Sequence, residues 1–513
     1  MSPNNDPAEI PASAKFPNPE DIICILKKQS SIGEVYRILS LTQREQDGEP
    51  SFTLSRTFWT GNDGDENKPS QPLLKDYLID DLPVHLQPGP QRRVHVLVST
   101  RSGTGLSLHF YNNILAPLLE ELGLAASNEP EQSAVSRNGS YHLLITQDAE
   151  SVRTFARDLG ERSRPSRDED GGGTVVSEKD PEHTIVLLSG DGGVVEMLNS
   201  YVPTTDNHMA ASNPAAVSLS PPLISILPLG TGNALFSSLH RTVKIPAASS
   251  DLVRGLRTLL QGKPAPLPSF KLDFPENSRV VTYSEALPPP STGNHPTDPT
   301  NSILALEERT QYVTRLYGVV VASYGFHSQL VWESDTPEYR RHGAKRFHMV
   351  AEELLRESHA YQATVELGIP SNEGITTRRL GQDQHSYILT TLVSNLEKTF
   401  CISPASQPLD GQLRLVHFGP VDGAKTVEIM TAAYDGGRHV GMRWGAEDED
   451  GVGYEEIAEV RIRTHEEDAR WRKVCIDGTI VEIPTGGCMV VSRDIRRHLS
   501  VLVDRPILSE PIL

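Results

Sequence analysis

The sequence predicts an α/β fold followed by a β fold: a doubly wound parallel sheet, then an antiparallel β-sandwich. Three observations predict it. From Arg92 onward, apolar strand-like runs alternate with amphipathic helical runs, the pattern of a parallel sheet covered on both faces. Glycine-rich turns stand at the strand-to-helix junctions. After about residue 265 the helical signal thins, and short β-like runs separated by turns take over.

Residues 1–90 read as an N-terminal extension, its first 20 residues Pro/Asn/Ala-rich and expected to be disordered. Within it "DIICIL", "EVYRILSL" and "SFTLSRTFW" read as strands of a small sheet, and "NDGDENKPSQP" as a linker. Residues 91–265 form the α/β domain. "RVHVLVST" is its first strand, "RSGTG" a turn, and "LSLHFYNNILAPLLEELGL" an amphipathic helix stopped by glycine. "YHLLITQD" with "AESVRTFARDL", then "HTIVLLSG" with "VVEMLNSYV", repeat the unit, and "LISILPLGTGNALFSSLH" repeats it again. Three polar, Pro/Gly/Ser-rich insertions, 161–182, 203–222 and 285–302, read as surface loops. Residues 266–513 form the β domain. Its strands are "YGVVVASYGF", "YQATVELGI", "SYILTTLVSNL", "LRLVHF", "TVEIMTAA", "EIAEVRIRT" and "KVCIDGTIVEI", with one helix, "RRHGAKRFHMVAEELLRE".

The formal charge of −19 argues against a general nucleic-acid binder, which needs a basic surface. A local basic cluster still acts on a membrane surface within a Debye length of about 10 Å. The cysteines, Cys24, Cys401, Cys475 and Cys488, lie far apart without a CxxC pair and read as isolated thiols of a reducing compartment. No apolar run approaches the roughly 20 residues that span a bilayer. The N-terminal stretch lacks the order of a signal peptide. A cytoplasmic protein is expected.

There is no GxxxxGK[ST], GxSxG or HExxH, and no full GxGxxG after a strand. What remains is a set of three similar turns, "SGTG" (102–105), "SGDGG" (189–193) and "LGTGNA" (229–234). Turns of this kind lie at the carboxyl ends of parallel strands, where ligands bind. Their glycines let the backbone approach a ligand, and the helix N-termini beside them offer free N–H groups to phosphate. Alone, Asp191 in "SGDGG" reads equally as a cap of the helix beginning near Val194. A second turn about 40 residues later, on an adjacent strand, makes a cleft in which a lone carboxylate can act as general base. Thr231 offers it hydroxyl and backbone donors, and Asn233 holds the loop.

In "LLSGDGGVVEMLN", "LPLGTGNALFSSL", "YRRHGAKRF" and "IDGTIVE", taken in that order, the chain resembles the diacylglycerol kinase catalytic-domain family, most closely its sphingosine kinase branch. The resemblance covers roughly residues 91–495. It implies an ATP-dependent lipid kinase: a nucleotide-binding domain, then a lipid-binding β-sandwich whose final strands return to the first domain. Asp191 matches the base that takes a proton from a lipid primary hydroxyl. Ser189, Gly190, Gly192 and Gly193 match the loop under the ATP phosphates, and Glu196 an acid one turn later. Gly230, Thr231, Gly232 and Asn233 match the second nucleotide loop, and Thr146 a nucleotide-side threonine. Arg340 and Arg346 match arginines that reach the phosphates; a break near Gly343 would bring them together, whereas a solvated basic face is their plain reading. Asp477 and Gly478 match a pair near the ribose. Mg²⁺ arrives with ATP, and no residue is assigned to a protein-held metal.

Two loops depart from the family. The first reads Ser99-Thr100-Arg101-Ser102-Gly103-Thr104-Gly105, without the usual Asn, Pro and Lys, although Arg101, Gly103 and Gly105 stay. The usual Asp-Gly-Glu reads Asp477-Gly478-Thr479. In "GFHSQLVWESD" the acidic positions that meet a sphingoid amine fall on Gln329 and Val331, with Glu333 and Asp335 close by. The expected acceptor is a long-chain sphingoid base. Diacylglycerol or ceramide is the alternative, and a non-catalytic lipid-binding protein is the alternative of another class. A lipid substrate implies transient contact with a membrane surface, here through Arg340, Arg341 and Lys345.

Overall fold

The computed structural model describes residues 16–508 except 31–32, 47–48, 61–70, 101, 104, 128–138, 149, 163–180, 203–219, 242–246, 286–305, 344, 373 and 447–448. Most of the three expected surface insertions, and the first 15 residues, lie outside the described residues.

The parallel sheet forms as the alternation predicts. Strands Ala125–Ser127, Ser140–Ile145, Arg92–Val98, Glu182–Ser189 and Leu223–Pro228 lie side by side in that order, all parallel. The three central strands, Arg92–Val98, Glu182–Ser189 and Leu223–Pro228, carry continuous buried runs because helices cover both faces. The C-terminal strand Ser500–Val503 adds in parallel beside Leu223–Pro228, and Lys263–Pro266 closes that edge in antiparallel sense. The chain's end thus returns to the first domain.

Between Ser269 and Asp494 the chain builds two large antiparallel sheets. One centres on Ser269–Asp273, Cys488–Asp494, Glu459–Thr464 and Tyr361–Ser371; the other on Thr479–Glu482, Lys473–Ile476, Val321–Gly325, Tyr387–Thr391 and Leu413–Phe418. Phe270, Val365 and Val491 of the first sheet and Tyr324, Ile388 and Val474 of the second enter one hydrophobic cluster. The stretch "TVEIMTAA", read above as a strand, is the helix Gly423–Tyr434. Its β-branched residues suggested a strand, but Asp422 caps it, accepting the Lys425 N–H at 2.8 Å, and Thr426, Ile429 and Ala433 bury one helical face. The helix expected over 340–357 is broken where Gly343 takes a φ of 57°: Pro337–Arg340 ends before the break, Lys345–Glu357 follows it, and Phe326–Ser334 is a further helix ahead of both.

The N-terminal strands Ile22–Ser30, Gly33–Gln46 and Glu49–Thr60 form a sheet closed by Leu78–Ile79. Ile23, Leu39 and Phe52 share a core with Val96, Phe110 and Leu256 of the parallel-sheet domain. Buried Arg257 fastens the sheet's entry, donating to the carbonyls of Pro19, Glu20 and Ile22 while stacking on Tyr77.

Three histidines stand on adjacent parallel strands. His95 lies opposite His142 in register, its ring 5.7 Å from that of His142 and 5.3 Å from that of His183. Burial, then the nearby His183, His142, Arg93 and Arg162, hold the His95 pKa well below its ordinary value. An unfolded histidine takes up a proton near pH 6.5, and folded His95 does not. Stability is therefore complete above that pH and falls below it, by up to about 1.4 kcal/mol per pH unit. Urea unfolding near pH 7 and near pH 5.5 is expected to show a steeper acid loss in the parent than in His95→Gln; equal slopes would refute the assignment.

Candidate active site

The three glycine turns meet at the carboxyl ends of strands Arg92–Val98, Glu182–Ser189 and Leu223–Pro228, and they meet backbone to backbone. A Cβ added to Gly230 would stand 2.4 Å from Gly190 Cα, and one on Gly190 would stand 2.8 Å from Gly230 Cα. A Cβ on Gly103 would stand 2.4 Å from the Leu229 carbonyl oxygen. Gly103, Gly190 and Gly230 are thus required by loop-on-loop packing, which corrects the reading that every glycine here clears room for a ligand. Gly193 packs its helix on its own strand, a Cβ there meeting Ser189 Oγ at 2.7 Å. Only open space faces Gly192, and Gly105 likewise. A Cβ on Gly232 would lie 3.2 Å from the Leu396 carbonyl.

Short polar side chains lace the turns together. Ser102 Oγ accepts the Gly190 N–H at 3.0 Å and the Ser189 hydroxyl at 3.3 Å. Thr146 Oγ1 accepts the Thr100 N–H at 3.0 Å, and the Thr100 hydroxyl donates to the Thr146 carbonyl at 2.8 Å. The Ser99 N–H donates to Leu188 at 3.1 Å. Asn233, left-handed at φ 50°, accepts the Gly230 N–H at 3.0 Å and donates to the Gly230 carbonyl at 3.0 Å. Thr231 and Gly232 lie in the turn that Asn233 closes. Arg101 and Thr104 lie outside the described residues. Ser102 was not among the expected site residues; the only signal for it was its place before Gly103.

Asp191 does not cap the helix near Val194. The helix Asp191–Tyr201 begins at Asp191 itself, with Gly190 as its cap residue and no side chain on its first amides. The Asp191 carboxylate reaches the next helix, Ala234–Leu239, accepting the N–H of Ala234 at 2.7 Å and of Leu235 at 3.0 Å. Burial raises its pKa, while those two amides pull it down. The second half of the chain approaches the same place. Asp477 and Gly478, at φ 48° and 89°, form the two-residue turn between Lys473–Ile476 and Thr479–Glu482. The Asp477 carboxylate accepts the N–H of Val319 at 2.7 Å, of Val320 at 3.1 Å and of Val321 at 2.5 Å. Burial above all pushes it up to about 7; the amides oppose this, and the charge of Asp191 adds to it. Asp477 is thus a structural acceptor rather than a carboxylate free for a ribose. Asn199, which no sequence signal marked, joins the halves by accepting the Tyr317 N–H and donating to the Tyr317 carbonyl, both at 2.8 Å.

Other expected residues stand apart from this web. Glu196 lies 3.9 Å from Arg153, and burial raises its pKa. Arg340 is held by Asp335 through two bonds, at 2.9 and 2.6 Å, and by the Tyr283 carbonyl at 3.2 Å. Arg346 lies over the Phe347 ring at 4.9 Å. Of the positions considered for a lipid amine, Gln329 donates to Glu333 at 2.6 Å, Glu333 also pairs with Arg470 at 2.8 Å, and Val331 packs beside Cys475 and Ile480.

The uncapped N-terminus of Asp191–Tyr201 beside open Gly192 suits an anionic phosphate. Among the described residues, no group of three or more His, Cys, Asp or Glu is placed to hold a metal ion. A cavity of about 1260 Å³ lies at the opposite, amino ends of the strands, around Arg92, Glu182, Leu223 and Ser500. Among the described residues no helix is long and apolar enough to cross a membrane.

No curated protein matches the chain. Solved structures that align with it include a diacylglycerol kinase from Bacillus anthracis str. Sterne, at 11% identity and a TM-score of 0.41, covering 81% of this chain and 98% of that one. A putative diacylglycerol kinase from the same strain aligns at 12% identity and a TM-score of 0.43 over the same shares. Residues 93–262 match the diacylglycerol kinase catalytic domain, so the part of the chain that carries the glycine turns and Asp191 is similar to the catalytic domain of that family.

Proposed function

We propose that the chain is an ATP-dependent lipid kinase that phosphorylates a primary hydroxyl. The observation that carries this reading is the Asp191 carboxylate, half-buried where two glycine turns and the Asp477 hairpin converge. Its raised pKa makes it a stronger base than a solvated aspartate. Asp191 accepts the hydroxyl proton, the hydroxyl oxygen bonds to the γ-phosphorus, and ADP leaves. The first-turn amides of Asp191–Tyr201 and the turn at Gly230–Gly232 would hold the phosphates, and Mg²⁺ bound with ATP would offset their charge. Residues 91–265 serve as the nucleotide domain, and the two antiparallel sheets of 266–513 as the sandwich that holds the lipid. Arg340 reaches phosphate only if its pair with Asp335 opens.

The ion pairs favour a neutral acceptor, ceramide or diacylglycerol, over the sphingoid base expected from sequence. Glu333 is already matched by Arg470 and Asp335 by Arg340, so neither carboxylate stands unmatched for an ammonium group. Purified protein, labelled ATP and a panel of sphingosine, ceramide and diacylglycerol test this. Label is expected in a neutral lipid; label in sphingosine alone would overturn the acceptor class. No label in any lipid, with no ATP-induced thermal shift, would leave a lipid-binding protein without catalysis.

A further inference from the structure

The loop between strands Cys488–Asp494 and Ser500–Val503 crosses from an antiparallel sheet to the parallel one, at the seam of the two domains. Ile495 sits on it with 90% of its surface exposed, more than any other large apolar side chain among the described residues. A single exposed isoleucine needs no explanation; its surroundings do. Arg493, Arg496 and Arg497 flank it in a chain whose net charge is −19, and Asp494 is the only acid among them. That acid is buried and turned inward, bonded to His498 at 2.7 Å and to the Arg496 N–H at 3.1 Å. Arg493 donates to Gln412, and neither Arg493 nor Arg497 has a carboxylate partner among the described residues. Glu459, across from Ser492, is engaged by Arg461. The loop is held from beneath as well, since Arg496 donates to the Tyr317 hydroxyl at 2.9 Å and the His498 ring meets the Tyr317 ring at 5.1 Å.

We propose that this loop docks the protein on the anionic surface of a lipid bilayer, with Ile495 entering the headgroup–acyl boundary and Arg493 and Arg497 meeting the headgroup charge. An apolar tip ringed by cations fits that interface, where apolar burial and attraction to anionic lipid act together. A pinned loop loses little conformational freedom on docking. The idea rests on the lipid-kinase reading for its purpose and stands apart from Arg340, whose charge is matched by Asp335.

The test is sedimentation of the full chain with vesicles of phosphatidylcholine alone and of phosphatidylcholine mixed with phosphatidylserine. The parent is expected to bind the mixed vesicles, and salt is expected to weaken binding. Ile495→Ser is expected to weaken it about tenfold, and Arg493→Ser and Arg497→Ser about fivefold each. Arg438→Ser, an equal charge change after the helix Gly423–Tyr434, is expected to leave it unchanged. Three outcomes overturn the proposal: equal binding by parent and loop variants, no parent binding to mixed vesicles, or a loss in Arg438→Ser as large as in the loop. Binding of polyglutamate by the parent without any vesicle binding also overturns it, assigning the loop to an acidic protein partner. Sedimentation needs no turnover. Vesicle binding without lipid phosphorylation would therefore sink the kinase reading alone, and phosphorylation of a dispersed short-chain acceptor without vesicle binding would sink the surface alone.

Discussion

Asp191→Asn is expected to abolish lipid phosphorylation, by at least about 10²- to 10⁴-fold, in a protein that stays folded. The amide keeps the size of the carboxylate, and its oxygen still accepts one of the N–H bonds from Ala234 or Leu235. Its NH₂ then faces the other N–H, so one charge-assisted bond is lost at a cost of about 1–3 kcal/mol. Against that, a partly desolvated charge disappears, so the net loss of stability falls short of the loss of rate. A second readout separates charge from general damage. Asp477 is held up in part by the charge on Asp191. Neutralising Asp191 is expected to move the Asp477 carboxyl down from about 7, seen in the pH titration of its ¹³C carboxyl signal. Unchanged turnover in Asp191→Asn would rule out the base, and an unmoved Asp477 titration would rule out the coupling.

The parallel sheet was legible because its three central strands are buried on both faces, so their apolar runs are continuous and end at glycine turns. The site was legible only in part, because its bonds cross long stretches of chain. Asp191 bonds 43 and 44 residues ahead, Asn199 bonds 118 ahead, and Asp477 bonds 156 to 158 back. No local pattern encodes those partners. Spacing placed Asp191 at a strand end, but whether it capped its own helix or the next depended on how two turns pack. Arg340 differs: its partner Asp335 stands only five residues before it, yet no local pattern tells that pair from a carboxylate facing lipid. The helix Gly423–Tyr434 was misread because Thr, Val and Ile carry β propensity, while its buried face and the Asp422 cap decide the outcome.

The glycines divide into two classes that substitution separates. Gly230→Ala places a methyl group 2.4 Å from Gly190 Cα, inside any permitted contact and against backbone that cannot rotate away. The turns must part, and Asp191 loses its register with Ala234 and Leu235. Overpacking costs typically about 1–3 kcal/mol, and a shift of about 1 Å at a reacting centre about 10² in rate, so stability and activity fall together. Gly192→Ala meets nothing within 4 Å and sits in the first turn of Asp191–Tyr201. There alanine favours the helix by about 0.5–1 kcal/mol, so the variant is expected to be at least as stable as the parent. Its methyl group nevertheless fills the open side where phosphate would approach, and weaker ATP binding with an unweakened fold is expected. Thermal unfolding with and without ATP reads both effects in one titration. If Gly192→Ala binds ATP like the parent, the open face beside Asp191 is not where the nucleotide lies. If Gly230→Ala is as stable as the parent, the loops do not pack glycine on glycine.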